Sequence, residues 1–347
     1  MDLQDVNIFS LSKQDTGVLK GIAICAMLCH HLYGCPIEGV ESYTGVFAWL
    51  GSLGKVCVAI FLFCSAYGLS AGYKGLTTLQ EKLFFIRNRF IKFFMSYWVI
   101  LLVIVPLGVF VFGRTFDIAY AGLNVPKRII YEIFGINGGC SYIKTWWFNQ
   151  LIIVMYLLFP ILYRLISHVP FLSIIVAIIY LLLGDKYTLG IIELNIWLVP
   201  FMIGIYWNLY EKKMRELFDV CQSHKILLAS VSLVSLVIAV LLRSSLLYPD
   251  NIRMETSLII AISLCTISIL RLSPKIMHLF AFLGGHSMNI YLIHSFFNVP
   301  ILHSHEWLRG GGNFVILMIL CLTVSLVIEF MKKRVGVYTL QKQLISK

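Results

Sequence analysis

The chain has 347 residues, of which 59% are hydrophobic and 13% charged, with a mean hydropathy of +0.86 and a formal net charge of +11 at pH 7. A soluble domain carries about twice that charged fraction, so a water-soluble enzyme is excluded. The apolar runs are about 17–25 residues long without alternation, which excludes a β-barrel and predicts a polytopic all-α membrane helix bundle; the positive charge needs no nucleic-acid partner, because basic segments on one side of a bilayer produce it.

The first 17 residues are polar, include Asp2, Asp5 and Asp15, and lack the basic-then-apolar layout of a cleaved leader. The first span is therefore expected to remain as an anchor. About ten spans follow, over roughly 18–34, 47–72, 92–112, 146–164, 171–184, 190–209, 226–247, 256–271, 277–298 and 313–331. The fifth is short, and 126–137 reads as an amphipathic helix lying at the outer interface. Most of the 28 Lys and Arg fall on segments that this count puts inside. The positive-inside rule then predicts both termini inside, with cytoplasmic tails about 1–17 and 332–347 and one membrane domain over 1–347. No repeat or soluble domain is visible, so any chemistry belongs to groups in the bundle or on short loops.

The first span, LKGIAICAMLCHHLY over 19–33, carries Lys20 at its start and His30 and His31 near its end. Charged and titratable groups are costly in a membrane helix and usually mark function. Lys20 and His31 lie about 16 Å apart along a helix axis, so one end can meet a ligand at the inner rim while the other works deep in the bundle. The alternative is a snorkelling Lys20 and a histidine that bridges two helices. Nine cysteines occur. Cys25, Cys29, Cys57, Cys64, Cys265 and Cys321 sit inside apolar runs and read as small packing residues. Cys25, Cys29 and His30 lack a fourth ligand, so no metal is expected. Cys35 and Cys140 both fall on outer segments, which leaves a disulfide between them open.

The second span contains many small residues, which permit close helix contact, and places Lys55 near its outer end. Lys55 either snorkels or pairs with Glu38, Glu41 or a substrate anion. The run FIRNRFIKFFMSYW over 85–98 reads as an inner loop entering the third span. Its Arg87, Arg89 and Lys92 set topology, bind anionic lipid, or form a phosphate cradle, for which the planar arginine fork is suited. The fourth span opens with Trp146 and Trp147, belt residues, followed by Asn149, Gln150 and Tyr156; Glu193, Asn195 and Trp197 repeat that theme in the sixth. The ninth span, read as one helix, concentrates His286, Ser287, Asn289, Tyr291 and His294, and a helix this polar should face the bundle interior. Glu329 sits late in the tenth span.

Together these stretches resemble the acyltransferase family 3 of integral membrane proteins. The match is carried by Lys20 with Gly21-Ile22-Ala23-Ile24 and His31; by Gly54, Val58, Phe61, Phe63 and Ser65; by the basic run ending Tyr97-Trp98; by Trp147-Phe148, Tyr156 and Pro160; and by Gly284, Ser287, Tyr291, Leu292 and His294. Departures are Lys20 and Lys92 where the family often has Arg, Met95 where Pro is common, and Ala66 after Ser65.

The resemblance implies transfer of an acyl group, usually acetyl, from cytoplasmic acyl-CoA to a hydroxyl of a glycan or lipid-linked sugar, in the cell (plasma or inner) membrane. His31 is then general base or acyl carrier. His294, Ser287 and Tyr291 would complete the catalytic set, with Lys20, Arg87, Arg89 and Lys92 on acetyl-CoA and His30, Lys55, Trp147, Gln150 and Asn289 toward the acceptor. Expected partners are the bilayer, polysaccharide-biosynthesis proteins or a second copy. No hydrolase-like extension follows the tenth span, so an acceptor that needs a second catalytic domain requires another protein. The rival readings are a proton-coupled transporter or flippase, which fits intramembrane His, Lys and Glu329 but lacks an inverted repeat, and a small-amino-acid-binding membrane domain.

Overall fold

The computed structural model describes residues 10–35, 43–183, 194–217, 273–298 and 311–346, with a few isolated positions between 230 and 237. Among these residues the chain is helical, without a strand. Helix α1 spans Lys13–Cys29. Its start is fixed by a reciprocal capping box: the Ser12 hydroxyl accepts from the Asp15 amide at 3.1 Å, and the Asp15 carboxylate accepts from the Ser12 amide at 2.9 Å. The helix continues as a π-helical turn over His30–Gly34. Helices α2 (Gly45–Leu53) and α3 (Val56–Tyr73) form the second span, jointed at Gly54 and Lys55.

Helix α4 spans Leu79–Phe110. The basic run over 85–92 is thus helical and not the loop expected from sequence. The reason is local: Thr78 and Glu81 make a second capping box, so the helix starts well before the apolar stretch that marks the membrane. Two short helices follow, α5 (Phe116–Ala119) and α6 (Val125–Ile133), the latter overlapping the amphipathic segment foreseen over 126–137. Then come α7 (Trp147–His168), α8 (Pro170–Leu183) and α9 (Leu194–Leu217). The last four are α10 (Pro274–Gly285), α11 (Ser287–Asn298), α12 (Gly311–Arg334) and α13 (Val337–Ser346).

Among the described residues, five segments are long and apolar enough to cross a membrane: Lys13–Gly34, Gly45–Tyr73, Leu79–Phe110, Lys144–His168 and Gly311–Arg334. Helices α10 and α11 meet at 70° and count as a sixth if they form one broken span. The ninth span is therefore not the single helix expected. Gly284 and Gly285 precede the break at His286, where a pair of glycines cannot hold a helix straight. Apart from those isolated positions, the seventh and eighth expected spans lie outside the described residues, as do Glu38, Glu41, Glu193 and Cys265.

Helix α1 is the hub. Gln14 faces His278, Gly17 faces Ala281, and His31 faces His294, so α1 touches both halves of the α10–α11 pair. Their backbones touch: a Cβ on Gly21 would overlap the Phe280 carbonyl, so the contact requires glycine. On the other side Leu19, Ile24 and Leu28 of α1 and Phe63 of α3 are fully buried, with Phe201 and Trp197 of α9. Leu102, Leu157, Ile161 and Ile319 face outward and exposed, which suits a surface solvated by lipid tails.

Candidate active site

The π-helical turn at the end of α1 brings both histidines onto one cluster. Such turns recur at functional sites because they re-aim side chains within a helix. Here the α2–α3 joint presses against it, and a Cβ on Gly54 would overlap the Ala26 carbonyl and the His30 backbone. The Gly51 carbonyl lies 2.9 Å from His30 Nδ1. A carbonyl only accepts, so Nδ1 carries the proton of the neutral ring and Nε2 is the basic nitrogen. That Nε2 lies 3.6 Å from Cys35 Sγ, and the same sulfur lies 3.6 Å from His31 Nδ1. The His31 ring stands 5.1 Å from His30 and 4.8 Å from His294.

His294 is fixed by the same logic. Its Nδ1 lies 2.7 Å from the Tyr291 carbonyl, so Nδ1–H donates and Nε2 is the basic nitrogen. His294 is 0% exposed, and its Nε2 has no hydrogen-bond partner among the described residues. Leaving a buried polar atom unpaired costs about 1–3 kcal/mol. Asn149, 1% exposed, leaves both side-chain amide atoms unpaired, and Thr145 its hydroxyl.

The remaining residues expected here divide. Tyr291 is close by, but its hydroxyl donates to the Thr145 carbonyl at 2.8 Å and meets the Asn149 backbone amide. It caps the first turn of α7, whose amides have no partner within the helix. Ser287 stands at the far end of α11, two turns from His294. Lys55 lies at the α2–α3 joint, 5.9 Å above the Trp197 ring and within electrostatic reach of Cys35. Trp147 is half-buried and packs edge-on against Phe148, whose ring meets that of Tyr291. Gln150 lies beside Gly138 of the outer segment.

Asn289 belongs to a separate knot between the start of α11 and the end of α12. Its amide donates to Ser325 Oγ at 3.0 Å and Glu329 Oε1 at 2.8 Å, and its oxygen accepts from Lys332 at 2.8 Å. Lys332 also pairs with Glu329 at 2.9 Å, His286 meets Ser325 at 2.9 Å, and Tyr338 donates to Glu329. Lys332, placed at the start of a cytoplasmic tail by sequence, is 3% exposed within α12.

In the basic run of α4 Arg89 is half-buried, 4.8 Å over Phe85 and beside Gly72 at the end of α3. Arg87 points elsewhere: it donates to the Leu344 carbonyl at 3.0 Å and holds the C-terminal turn of α13 against α4. Lys92 is exposed, and Lys20 is half-buried within electrostatic reach of Cys64.

Sequence reasoning passed over Cys35, Gly51 and Glu132. Cys35 and Cys140 are both free thiols, so the disulfide left open does not form. Cys35 follows the two histidines by four and five positions, the spacing that one helical turn brings together, and that was the available signal. Glu132 of α6 is 3% exposed and accepts from the Tyr142 amide at 2.8 Å, Asn137 at 2.9 Å and Tyr97 at 3.1 Å. Burial nevertheless raises its carboxyl above the ordinary value.

A family model described as an acyltransferase domain matches residues 16–330 of the chain. No curated protein and no solved structure matches it.

Proposed function

The chain belongs to the acyltransferase family 3 of membrane proteins, and on that premise we propose that it moves an acyl group, acetyl first among them, from cytoplasmic acyl-CoA to a hydroxyl of a cell-envelope glycan or lipid-linked sugar. The observation that carries this reading is the adjacent His31–His294 pair, with a buried His294 Nε2 that has no partner among the described residues. A nitrogen so held is a general base awaiting a hydroxyl, and its opposite nitrogen is oriented as a catalytic histidine's should be.

The acceptor hydroxyl gives its proton to an imidazole Nε2 as its oxygen attacks the thioester carbonyl. The carbon–sulfur bond breaks, and the departing CoA sulfur takes the proton back from the imidazolium. The acyl-CoA phosphates meet Arg89 and Lys92 at the inner rim, with Lys20 lower on α1 guiding the arm inward. Arg87 serves through α13, whose last turn it holds. Trp147 and Gln150, at the outer end, meet the acceptor, while Asn289 serves the inner knot.

The test is thioester turnover. Purified protein in liposomes receives acetyl-CoA and is assayed for free thiol, beside His31→Ala and Arg89→Ala. Turnover in the wild type, abolished by His31→Ala and weakened in apparent affinity by Arg89→Ala, is the expected result. Wild-type protein that neither binds nor cleaves acetyl-CoA overturns the donor assignment and favours a carrier.

A further inference from the structure

The thiol of Cys35 is unused by the mechanism above, yet it sits inside the histidine cluster. Its sulfur lies 3.6 Å from His30 Nε2, within reach for a sulfur hydrogen bond. The Gly51 carbonyl, 2.9 Å from His30 Nδ1, fixes that tautomer. Nucleophile, base and orienting acceptor thus stand in order, which is the general signature of an activated nucleophile. A second observation points to a reacting partner in the same place. His294 Nε2, fully buried and unpartnered, belongs to a ring 4.8 Å from His31, whose own Nδ1 faces the Cys35 sulfur.

We propose that Cys35 is the covalent acyl carrier of this protein, taking the acyl group from a thioester donor and passing it to the acceptor hydroxyl. The proposal rests on the acyl-transfer reading and divides the histidines between two half-reactions. In the first, Cys35 Sγ–H gives its proton to His30 Nε2 and the sulfur attacks the acyl-CoA carbonyl. The bond from that carbon to the CoA sulfur breaks, and the CoA sulfur leaves with the proton from His30. In the second, the acceptor O–H gives its proton to His294 Nε2, beside His31, and its oxygen attacks the Cys35 thioester. The carbon–sulfur bond breaks, and the Cys35 sulfur recovers the proton. Thioester is exchanged for thioester in the first step, so no oxidant or energy source is needed.

Burial raises the Cys35 thiol, against the pull of the Lys55 ammonium, so the group rests protonated and reacts only when His30 removes the proton. A carrier also suits the geography. Lys20 and His31 are about 16 Å apart along α1, and a tethered acyl group stays at the outer end while CoA departs from the inner one.

The experiment supplies radiolabelled acetyl-CoA to the full-length protein without acceptor, quenches in acid and maps the label by peptide mass. The expected result is one label per chain on Cys35, removed by neutral hydroxylamine, formed together with a burst of free CoA. Cys140→Ala, at a free thiol that takes no part in the proposed steps, keeps the label. Cys35→Ala and Cys35→Ser lose it and lower turnover about 100-fold or more, with the Cys35→Ser fold checked by gel filtration. CoA release in the wild type with no label, or with label on His31, together with Cys35→Ala turnover within a few-fold of wild type, overturns the carrier but leaves the acyltransferase reading intact. Wild-type protein that neither binds acetyl-CoA nor releases CoA overturns both, whereas binding without release or label overturns the carrier alone.

Discussion

Helix α11 carries polar residues at both ends, and the two ends are built on opposite terms. At its first end His286, Asn289, Ser325, Glu329, Lys332 and Tyr338 satisfy one another, and none leaves a buried side-chain atom without a partner. Toward its last turns His294, Asn149 and Thr145 keep buried atoms that have no partner among the described residues. Both ends look equally functional as strings of residues. The comparison teaches that polarity inside a membrane helix does not itself mark a site. A closed network holds helices together, whereas an open one has been left at a cost for something that arrives.

The sharpest way to break this comparison is to change both ends and read two signals. His294→Gln should lower acyl transfer by about 10²–10⁴-fold, the worth of a positioned general base, while leaving the unfolding midpoint in detergent close to wild type. Lys332→Met should do the reverse. Removing one partner of a fully buried ion pair costs about 3–5 kcal/mol. Glu329 is 33% exposed and keeps Asn289 and Tyr338, so the expected loss is about 2 kcal/mol by chemical denaturation, with turnover of the folded protein within a few-fold. If Lys332→Met silences turnover without lowering stability, the inner knot takes part in the chemistry and the distinction fails.

Tyr291 tests the boundary between the two ends. It lies one turn from His294, and sequence put it among the catalytic residues. Its hydroxyl instead closes the start of α7 through Thr145 and Asn149. Tyr291→Phe should therefore cost about 1 kcal/mol of stability, the worth of a helix cap, and leave turnover within a few-fold. A loss of turnover near that of His294→Gln would return Tyr291 to the reacting atoms.

What was legible in the sequence follows from the same physics. Hydropathy reports the spans because lipid imposes length and apolarity on them, and α1, α3, α4, α7 and α12 stand where the pattern put them. The amphipathic α6 was legible from its periodicity. The pairing of His31 with His294 was foreshadowed only by their appearance in the same family motifs, because residues far apart in sequence meet through helix packing that no local pattern encodes. The start of α4 was misread because a capping box at Thr78 outweighs the charge of the run that follows. The break at His286 was missed although Gly284-Gly285 was in view. Cys35 was weighed as a disulfide partner, because its place after the helix read as a loop although its spacing from the two histidines was in view.

Glu132 offers the smallest effect and the cleanest control, since it is a satisfied network on the outer side. Its carboxylate is faced by the hydroxyls of Tyr97 and Tyr120, the Asn137 amide and the Tyr142 backbone N–H, with Arg128 nearby on Asn137. Burial raises its carboxyl above the value of an unfolded chain. The folded state then holds that proton more tightly than the unfolded state does. The stabilisation is full below the ordinary carboxyl range and is lost as pH rises through the raised folded value. The unfolding midpoint should fall slightly from about pH 4 to about pH 8. In Glu132→Gln the oxygen keeps the Asn137 and Tyr142 donors while the new NH₂ faces the Tyr97 oxygen, which can accept. That variant should fold, transfer acyl groups within a few-fold of wild type, and lose this part of the slope. If instead Glu132→Gln abolishes turnover, satisfaction of a polar network does not separate scaffold from site on the outer face, and the orphaned atoms of His294 and Asn149 lose their special meaning.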